Sequence, residues 1–249
     1  MKILLVNPPH PAIGSRLPRE HLPPLGLLSL GGPLLDAGNQ VRLLDADIDN
    51  MPVGQIVSVV GEYCPDAVLL GHSGSTSGHP SACRIARAVR ASLPHAWIVY
   101  GGVFPSYHWA DIMEQEPAID FIVRGEGEET IVRLLSALEQ GQGLERVPGI
   151  VFRAGTVPAR RRTGPVLARA IANPPAPIIR DLDACRAGWE LIDHSRYGYY
   201  GKQRAVVAQF SRGCPHHCHL RGDKRDPTGH YLPGDPAQFC LRRRSYGFE

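Results

Sequence analysis

Two cysteines near the end of the 249-residue chain have the spacing of metal ligands: Cys214 and Cys218 stand four residues apart in "FSRGCPHHCHLRGDKR". Two thiolates alone neither close a tetrahedral zinc site nor hold an iron–sulfur cluster, so further ligands are needed. His216, His217 and His219 are nearby donors, but ligands adjacent on so short a loop rarely reach one ion together. The alternatives are a partial metal site at Cys214 and Cys218 or a pair of ordinary thiols.

A second set of residues could bind a ligand through backbone and hydroxyl groups, because small residues follow three apolar runs. Glycines let a ligand approach the backbone closely, and hydroxyls offer hydrogen bonds. Any one such loop is also explained by turn chemistry, but three on one edge of a sheet indicate a ligand site. The candidate binding residues are Ser73, Gly74, Ser75, Thr76, Ser77, Gly101, Gly102, Val103, Phe104, Gly125, Glu126, Gly127 and Glu128.

The first apolar run argues against a nicotinamide dinucleotide as this ligand. A dinucleotide fingerprint places glycines directly after the first strand, where backbone amides bind the pyrophosphate. Here the run ends in Asn7-Pro8-Pro9-His10, and proline has no amide hydrogen to donate.

The elements that must position these residues alternate regularly. Continuous rather than alternating apolar runs are typical of parallel strands covered on both faces, and stretches with helical spacing separate them. We therefore predict an α/β, doubly wound, Rossmann-like domain with a five-stranded parallel sheet over residues 1–142. The five runs are "KILLVNPP", "QVRLLDAD", "DAVLLGHSG", "AWIVYGGVF" and "DFIVRGEGE".

The rest of the chain is predicted to be less regular. Residues 143–203 form a hairpin and linker region, in which "GIVFRAGTVPAR" is a small β-hairpin followed by proline-rich segments. Residues 204–249 begin a further unit, where the apolar run in "RAVVAQFSRGC" leads into the cysteine pair.

Composition narrows the partners and the compartment. A net charge of +3 gives no reason to expect nucleic acid, and no apolar run approaches the roughly 20 residues of a membrane-spanning helix. Six cysteines without a paired framework, and a start lacking the apolar stretch of a signal peptide, predict a cytoplasmic protein. A small-molecule cofactor is the predicted partner, and the sequence does not indicate an oligomeric state.

Six motifs in order give the chain a family resemblance. "KILLVNPP", "PPLGLLSL", "GGVFPS", "DFIVRGEGEET", "PIIRDLDA" and "FSRGCPHHC" resemble the cobalamin-binding radical S-adenosylmethionine (SAM) enzymes. Within that superfamily the pattern is similar to the group of anaerobic magnesium-protoporphyrin IX monomethyl ester cyclases and related methyltransferases. The resemblance implies a sheet of the cobalamin-binding type, with cobalamin against the loops Ser73–Ser77, Gly101–Phe104 and Gly125–Glu128.

The resemblance also raises the question of a histidine on cobalt. Some cobalamin domains place one through an Asp-x-His-x-x-Gly loop after the first strand. This chain has His10 without the Asp and with Gly14 one residue late. We therefore predict cobalamin bound without a protein histidine on cobalt, and His10 as a loop residue.

At the cysteine pair, the family pattern is Cys-x-x-x-Cys-x-x-Cys, which holds a four-iron four-sulfur (4Fe-4S) cluster that binds S-adenosylmethionine. Cys214 and Cys218 match the first two positions, but the third is Arg221, which cannot ligate iron. The resemblance thus predicts an incompetent cluster site and no catalytic residues, with residues 204–249 as the fragmentary start of a radical SAM domain. Loss of two bases from a Tyr-Cys-Gly codon run would give the observed Leu220-Arg221, a frameshift whose rival is a genuine short protein.

Three functions remain open at this point. The first is the cobalamin-binding module of a radical SAM enzyme, of cyclase or methyltransferase type, that is incompetent in this chain. The second is a stand-alone cobalamin carrier or sensor without chemistry. The third is an active radical SAM enzyme in which another ligand, such as Cys240, completes the cluster.

Overall fold

The computed structural model describes residues 1–9, 21–72, 76–156, 169–199, 203–212 and 240–241. Its centre is a seven-stranded sheet in the order β2-β1-β3-β4-β5-β6-β7. The first five strands are parallel, whereas β6 and β7 run antiparallel to their neighbours. The strands are β1 (Lys2–Asn7), β2 (Gln40–Asp45), β3 (Ala67–Gly71), β4 (Trp97–Gly101), β5 (Phe121–Val123), β6 (Ile150–Arg153) and β7 (Ala170–Ala172).

The predicted doubly wound α/β fold is confirmed, but the sheet is larger than the five predicted strands. The run that we interpreted as a separate hairpin contributes β6, which pairs with β5 on one side and with β7 on the other. All four residues of β6 are buried, so this strand continues the core of the sheet. The boundaries drawn at residues 142 and 203 stay a prediction.

Helices cover both faces of the sheet. They are α1 (Leu25–Asp36), α2 (Val53–Tyr63), α3 (His79–Ser92), α4 (Val103–Tyr107), α5 (Trp109–Gln115) and α6 (Glu128–Gln140). The alternation of side chains along β1 sends Ile3 and Leu5 into a core with α1 and α6. Leu4 and Val6 enter a second core with α2, α3 and α5. We call the two sides the α1/α6 face and the α2/α3 face.

Residues 178–199 fold back over α1. The amide of Gly188 donates to the Leu28 carbonyl at 2.8 Å. A Cβ atom at Gly32 would lie 2.0 Å from the Arg186 carbonyl oxygen, so glycine is needed for this close approach. Two small antiparallel pairs follow, β8 (Gly198–Tyr199) with β9 (Gln203–Arg204) and β10 (Ser211–Arg212) with β11 (Cys240–Leu241). Within the described ranges no helix has the length and apolarity to cross a membrane.

Candidate functional site

A cavity of about 590 Å³ opens on the α1/α6 face at the carboxyl ends of the strands. This edge is where an open α/β sheet binds ligands, at the point where the strand order reverses between β1 and β3. Its walls are formed by the strand ends, by the start of α1 and by residues from two later segments, 178–199 and 203–212. The lining residues are Asn7, Pro24, Leu25, Gly26, Leu27, Ser29, Leu30, Leu69, Leu70, Gly71, His72, Val99, Gly101, Gly102, Val103, Ser106, Tyr107, Val123, Gly125, Glu126, Gly127, Glu128, Ile131, Ile178, Gln209, Ser211 and Arg212.

Glycines at the strand ends let α1 approach closely and keep these positions of the cavity wall free of side chains. A Cβ atom at Gly71 would lie 2.9 Å from Leu27 Cδ2, and one at Gly127 would lie 2.9 Å from Leu30 Cδ2. Both separations are too short for packed carbon atoms. At Gly101 the nearest atom would be 3.6 Å away, so a side chain fits there and would extend into the cavity.

Ser106 ties together the two glycine loops after β4 and β5. Its hydroxyl donates to the Gly102 carbonyl at 2.7 Å and accepts from the Gly125 amide at 2.9 Å. Gly102 and Gly125 have φ values of +111° and +76°, where other residues are strained. The two loops are therefore held as one unit at the cavity wall.

Arg212 joins residues 203–212 to the loop after β5. Its guanidinium pairs with the Glu126 carboxylate at 3.2 Å, with Glu128, and with the Gln209 side chain at 3.1 Å. Burial alone would lower the pKa of Arg212, but the two carboxylates outweigh it and the pKa is raised. Glu126 also accepts from the Ile179 amide at 2.6 Å. Glu126 thus connects residues 178–199 and residues 203–212 to the cavity wall.

A polar chain stands at the end of β1. Asn7 Nδ2 donates to Asp45 Oδ1 at 2.7 Å, and the Tyr197 hydroxyl donates to Asp45 Oδ2 at 2.9 Å. Burial raises the pKa of Asp45, while the two donated hydrogen bonds oppose that rise. These hydrogen bonds link β1 and β2 to residues 178–199.

The same strand ends are filled on the α2/α3 face. The Tyr100 hydroxyl is hydrogen-bonded to His72 Nε2 at 2.8 Å and to His79 Nδ1 at 3.3 Å. Cys83 Sγ lies 3.5 Å from His79 Nδ1, and burial raises the pKa of the Cys83 thiol to about 12. Phe104 lies against the His79 ring at a centroid separation of 4.6 Å. Buried and partly buried side chains therefore occupy this side.

The structure brings seven of the predicted binding residues to the cavity: Gly101, Gly102, Val103, Gly125, Glu126, Gly127 and Glu128. Phe104 and Ser77 do not line it. Thr76 begins the 3₁₀ turn Thr76–Gly78, and only its backbone is described. Ser73, Gly74, Ser75, Cys214 and Cys218 lie outside the described residues, as do His10 and Arg221. No group of three metal-ligating side chains occurs within the described part of the chain.

Sequence reasoning missed three residues of the site: Asn7, Ser106 and Arg212. Arg212 lies 84 positions from Glu128 in sequence, and Tyr197 lies 152 positions from Asp45. Short-range patterns carry no signal for such pairings. Ser106 did have a local signal, since a hydroxyl four residues after a strand-end glycine can bond back to that glycine's carbonyl.

Comparison with known proteins gives both a domain match and similar relatives. Residues 18–135 match the family model of the B12 binding domain. The anaerobic magnesium-protoporphyrin IX monomethyl ester cyclase of Synechocystis sp. is 54% identical over 240 residues, covering 96% of this chain and 46% of the relative. The chain thus spans a little under half the length of that relative.

Solved structures share the fold. The cobalamin-dependent SAM radical enzyme OxsB, with aqua-cobalamin and S-adenosylmethionine bound, superposes with a TM-score of 0.66 at 17% identity, covering 96% of this chain and 29% of that one. The methyltransferase TsrM of Kitasatospora setae, with cobalamin and a [4Fe-4S] cluster bound, superposes with a TM-score of 0.62 at 18% identity, covering 97% and 43%. Residues 18–135 thus match a B12 binding domain, the sequence as a whole is similar to that of the Synechocystis cyclase, and the fold is shared with OxsB and TsrM.

Proposed function

We propose that the cavity on the α1/α6 face holds cobalamin, and that the chain is the cobalamin-binding module of a radical SAM enzyme. The observation that carries the proposal is the glycine-lined cavity at the strand ends, most of whose lining residues belong to the segment that matches the B12 binding domain. Its volume of about 590 Å³ is that of a small-molecule site, so the cavity encloses one part of this large cofactor and the remainder lies outside its open side.

The residues present suit such a cofactor. A corrin ring is broad and flat, and it needs backbone without side chains in its way, as at Gly101 and Gly102. The ring carries peripheral amides, for which Asn7 and the loop carbonyls are polar partners. When bound, cobalamin supplies a cobalt atom that can carry a methyl group or exchange single electrons. The residues of this chain orient the cofactor and exclude water from one of its sides.

We further propose that the parent activity acts on a tetrapyrrole or transfers a methyl group. The Synechocystis relative is named a cyclase of magnesium-protoporphyrin IX monomethyl ester, and TsrM is named a methyltransferase. In this chain, Arg221 replaces the third cysteine of the cluster motif with a permanent cation. The proposal therefore includes no cleavage of S-adenosylmethionine by the chain as it stands.

Titration with hydroxocobalamin, followed by visible absorption, tests the binding proposal. The wild-type protein and the His10→Ala variant should both bind. The Gly101→Leu variant should bind at least about tenfold more weakly, a loss of about 1.4 kcal/mol, because its side chain fills the cavity. Gly101→Ala is the matched control, since a single methyl group makes only ordinary contacts. No absorption change with the wild-type protein at high concentration would contradict the proposal.

Anaerobic reconstitution with iron and sulfide, followed by a dithionite-driven assay for 5′-deoxyadenosine, tests the second part. We expect no product above the background without protein. Turnover would show that another ligand completes the cluster, with Cys240 or a histidine of "CPHHCH" as the first candidates to substitute.

A further inference from the structure

We infer that Asn7 contacts the cofactor directly, and that its side-chain oxygen accepts a hydrogen bond from an N–H or O–H donor on cobalamin. This inference rests on the proposed function, because it takes cobalamin as the molecule in the cavity. It assigns Asp45 and Tyr197 as positioning residues, which set the orientation of the Asn7 amide without contacting the cofactor.

The first observation is an acceptor without a donor. Asn7 is 6% exposed and lines the cavity, and its Oδ1 atom has no hydrogen-bond partner among the residues that the structure describes. Asn7 lies on the same face of β1 as Ile3 and Leu5, which is the face that carries the cavity. A buried acceptor left without a donor is unfavourable, so this atom is explained by a donor on the bound molecule.

The second observation fixes which end of the amide faces the cavity. Both oxygens of Asp45 are in use, one by Asn7 Nδ2 at 2.7 Å and the other by the Tyr197 hydroxyl at 2.9 Å. An ionised carboxylate can only accept hydrogen bonds. The amide nitrogen of Asn7 must therefore face Asp45, and its oxygen is presented to the cavity.

The chemistry of this atom selects its partner. An amide oxygen can only accept, so a phosphate or carboxylate group on the ligand would be repelled from it. Cobalamin offers two kinds of donor, namely the amide N–H groups around the corrin ring and the ribose hydroxyls of the nucleotide tail. Either donor would complete the chain from the cofactor through Asn7 and Asp45 to Tyr197.

An exchange of the two side chains tests the inference. In Asp45→Asn, the new amide offers a donor as well as an acceptor, and the Tyr197 hydroxyl can accept as well as donate, so the Asn7 amide is no longer held in one orientation. Hydroxocobalamin should then bind more weakly at neutral pH, by up to about tenfold, which corresponds to one lost hydrogen bond worth about 1.4 kcal/mol. Asn7→Asp should also bind weakly, because two carboxylates would face each other.

The double variant Asn7→Asp/Asp45→Asn should restore binding to within about threefold of the wild-type protein. In this variant the amide at position 45 donates to the carboxylate at position 7 and still accepts from Tyr197. The second oxygen at position 7 is again an acceptor that faces the cavity. Thermal unfolding monitors the fold of each variant, and the exposed Asn50→Asp serves as a control that should bind normally.

The outcomes separate the two proposals. Failure of the wild-type protein to bind would overturn the proposed function and this inference together. A folded Asn7→Asp variant that binds as tightly as the wild-type protein, or a folded double variant that binds no better than Asn7→Asp, would overturn the inference alone. Cobinamide, which lacks the nucleotide tail, then locates the donor. If the same pattern persists with cobinamide, the donor is a corrin amide, and if it is confined to hydroxocobalamin, the donor is on the tail.

Discussion

The two faces of the sheet treat the same strand ends in opposite ways. On the α2/α3 face, Tyr100 is completely buried and hydrogen-bonded to His72 and His79. On the α1/α6 face, the next residue, Gly101, leaves open space that belongs to the cavity. Because neighbouring residues of a strand point to opposite faces, one Tyr-Gly pair both fills the core and opens the site. Stability and binding can therefore be changed separately at adjacent positions.

The largest expected effect is the loss of stability caused by a substitution on the filled α2/α3 face. Replacing the buried ring in Tyr100→Ala should lower the free energy of unfolding by about 3–5 kcal/mol, as measured by urea denaturation. The milder Tyr100→Phe keeps the ring and loses only the hydroxyl, so it should cost about 1–3 kcal/mol and still bind hydroxocobalamin normally. Gly101→Leu should have the opposite pattern, with weaker hydroxocobalamin binding and a free energy of unfolding close to that of the wild-type protein. A parallel loss of binding in Tyr100→Phe would mean that the two faces are not independent.

The next effect concerns the part of the cavity wall on the α1/α6 face that residues 203–212 supply. Arg212→Gln leaves the largely buried carboxylates of Glu126 and Glu128 without their cation, at a cost of about 3 kcal/mol to the docking of residues 203–212. Amide hydrogen exchange over residues 205–212 should accelerate, and cobalamin should dissociate faster. Arg146→Gln is the control, since that side chain is 87% exposed and should change neither rate. Unchanged exchange in Arg212→Gln would refute the role of this cluster.

A smaller effect is expected where residues 178–199 cross α1. The methyl group of Gly32→Ala would overlap the Arg186 carbonyl, which should cost about 1–3 kcal/mol in thermal unfolding. Gly61→Ala, on the open side of the last turn of α2, should instead raise stability by up to about 1 kcal/mol. Equal effects of the two substitutions would show that the segment does not pack on α1 as described.

The mildest test leaves the sequence unchanged and probes how closed the filled face is. Cys83 is 4% exposed and burial raises its pKa to about 12, whereas Cys64 is exposed. A thiol reagent at neutral pH should modify Cys64 in the native protein and Cys83 only after unfolding, because the thiolate is the reactive form. Peptide mass spectrometry resolves the two positions, and rapid modification of Cys83 would indicate an open α2/α3 face.

Local patterns were sufficient for most of the fold. The five apolar runs predict β1 to β5, and the glycine loops at Gly101 and Gly125 predict the edge that carries the cavity. Phe104 shows where such reasoning stops. It follows the cavity residue Val103, but both lie in α4, where each residue turns the side chain by about 100°, so Phe104 packs against the α2/α3 core.

Long-range pairings account for the rest. The partner of β6 is Ala170–Ala172, beyond the segment in which a hairpin strand was predicted. The roles of Asn7 and Arg212 depend on residues far away in the sequence, because each belongs to a chain of polar contacts that only the folded structure assembles.

The late position of Arg212 also has a consequence for the order of events during synthesis. The last parallel strand ends at Val123, and the wall residues Ile178 and Arg212 follow 55 and 89 positions later, from 178 − 123 and 212 − 123. At about 5–20 residues per second, the ribosome adds those 89 residues in roughly 4 to 18 seconds. The cavity of the nascent sheet is therefore open to the surrounding solution on one side for seconds, until the wall residues Ile178 and Arg212 have been synthesised.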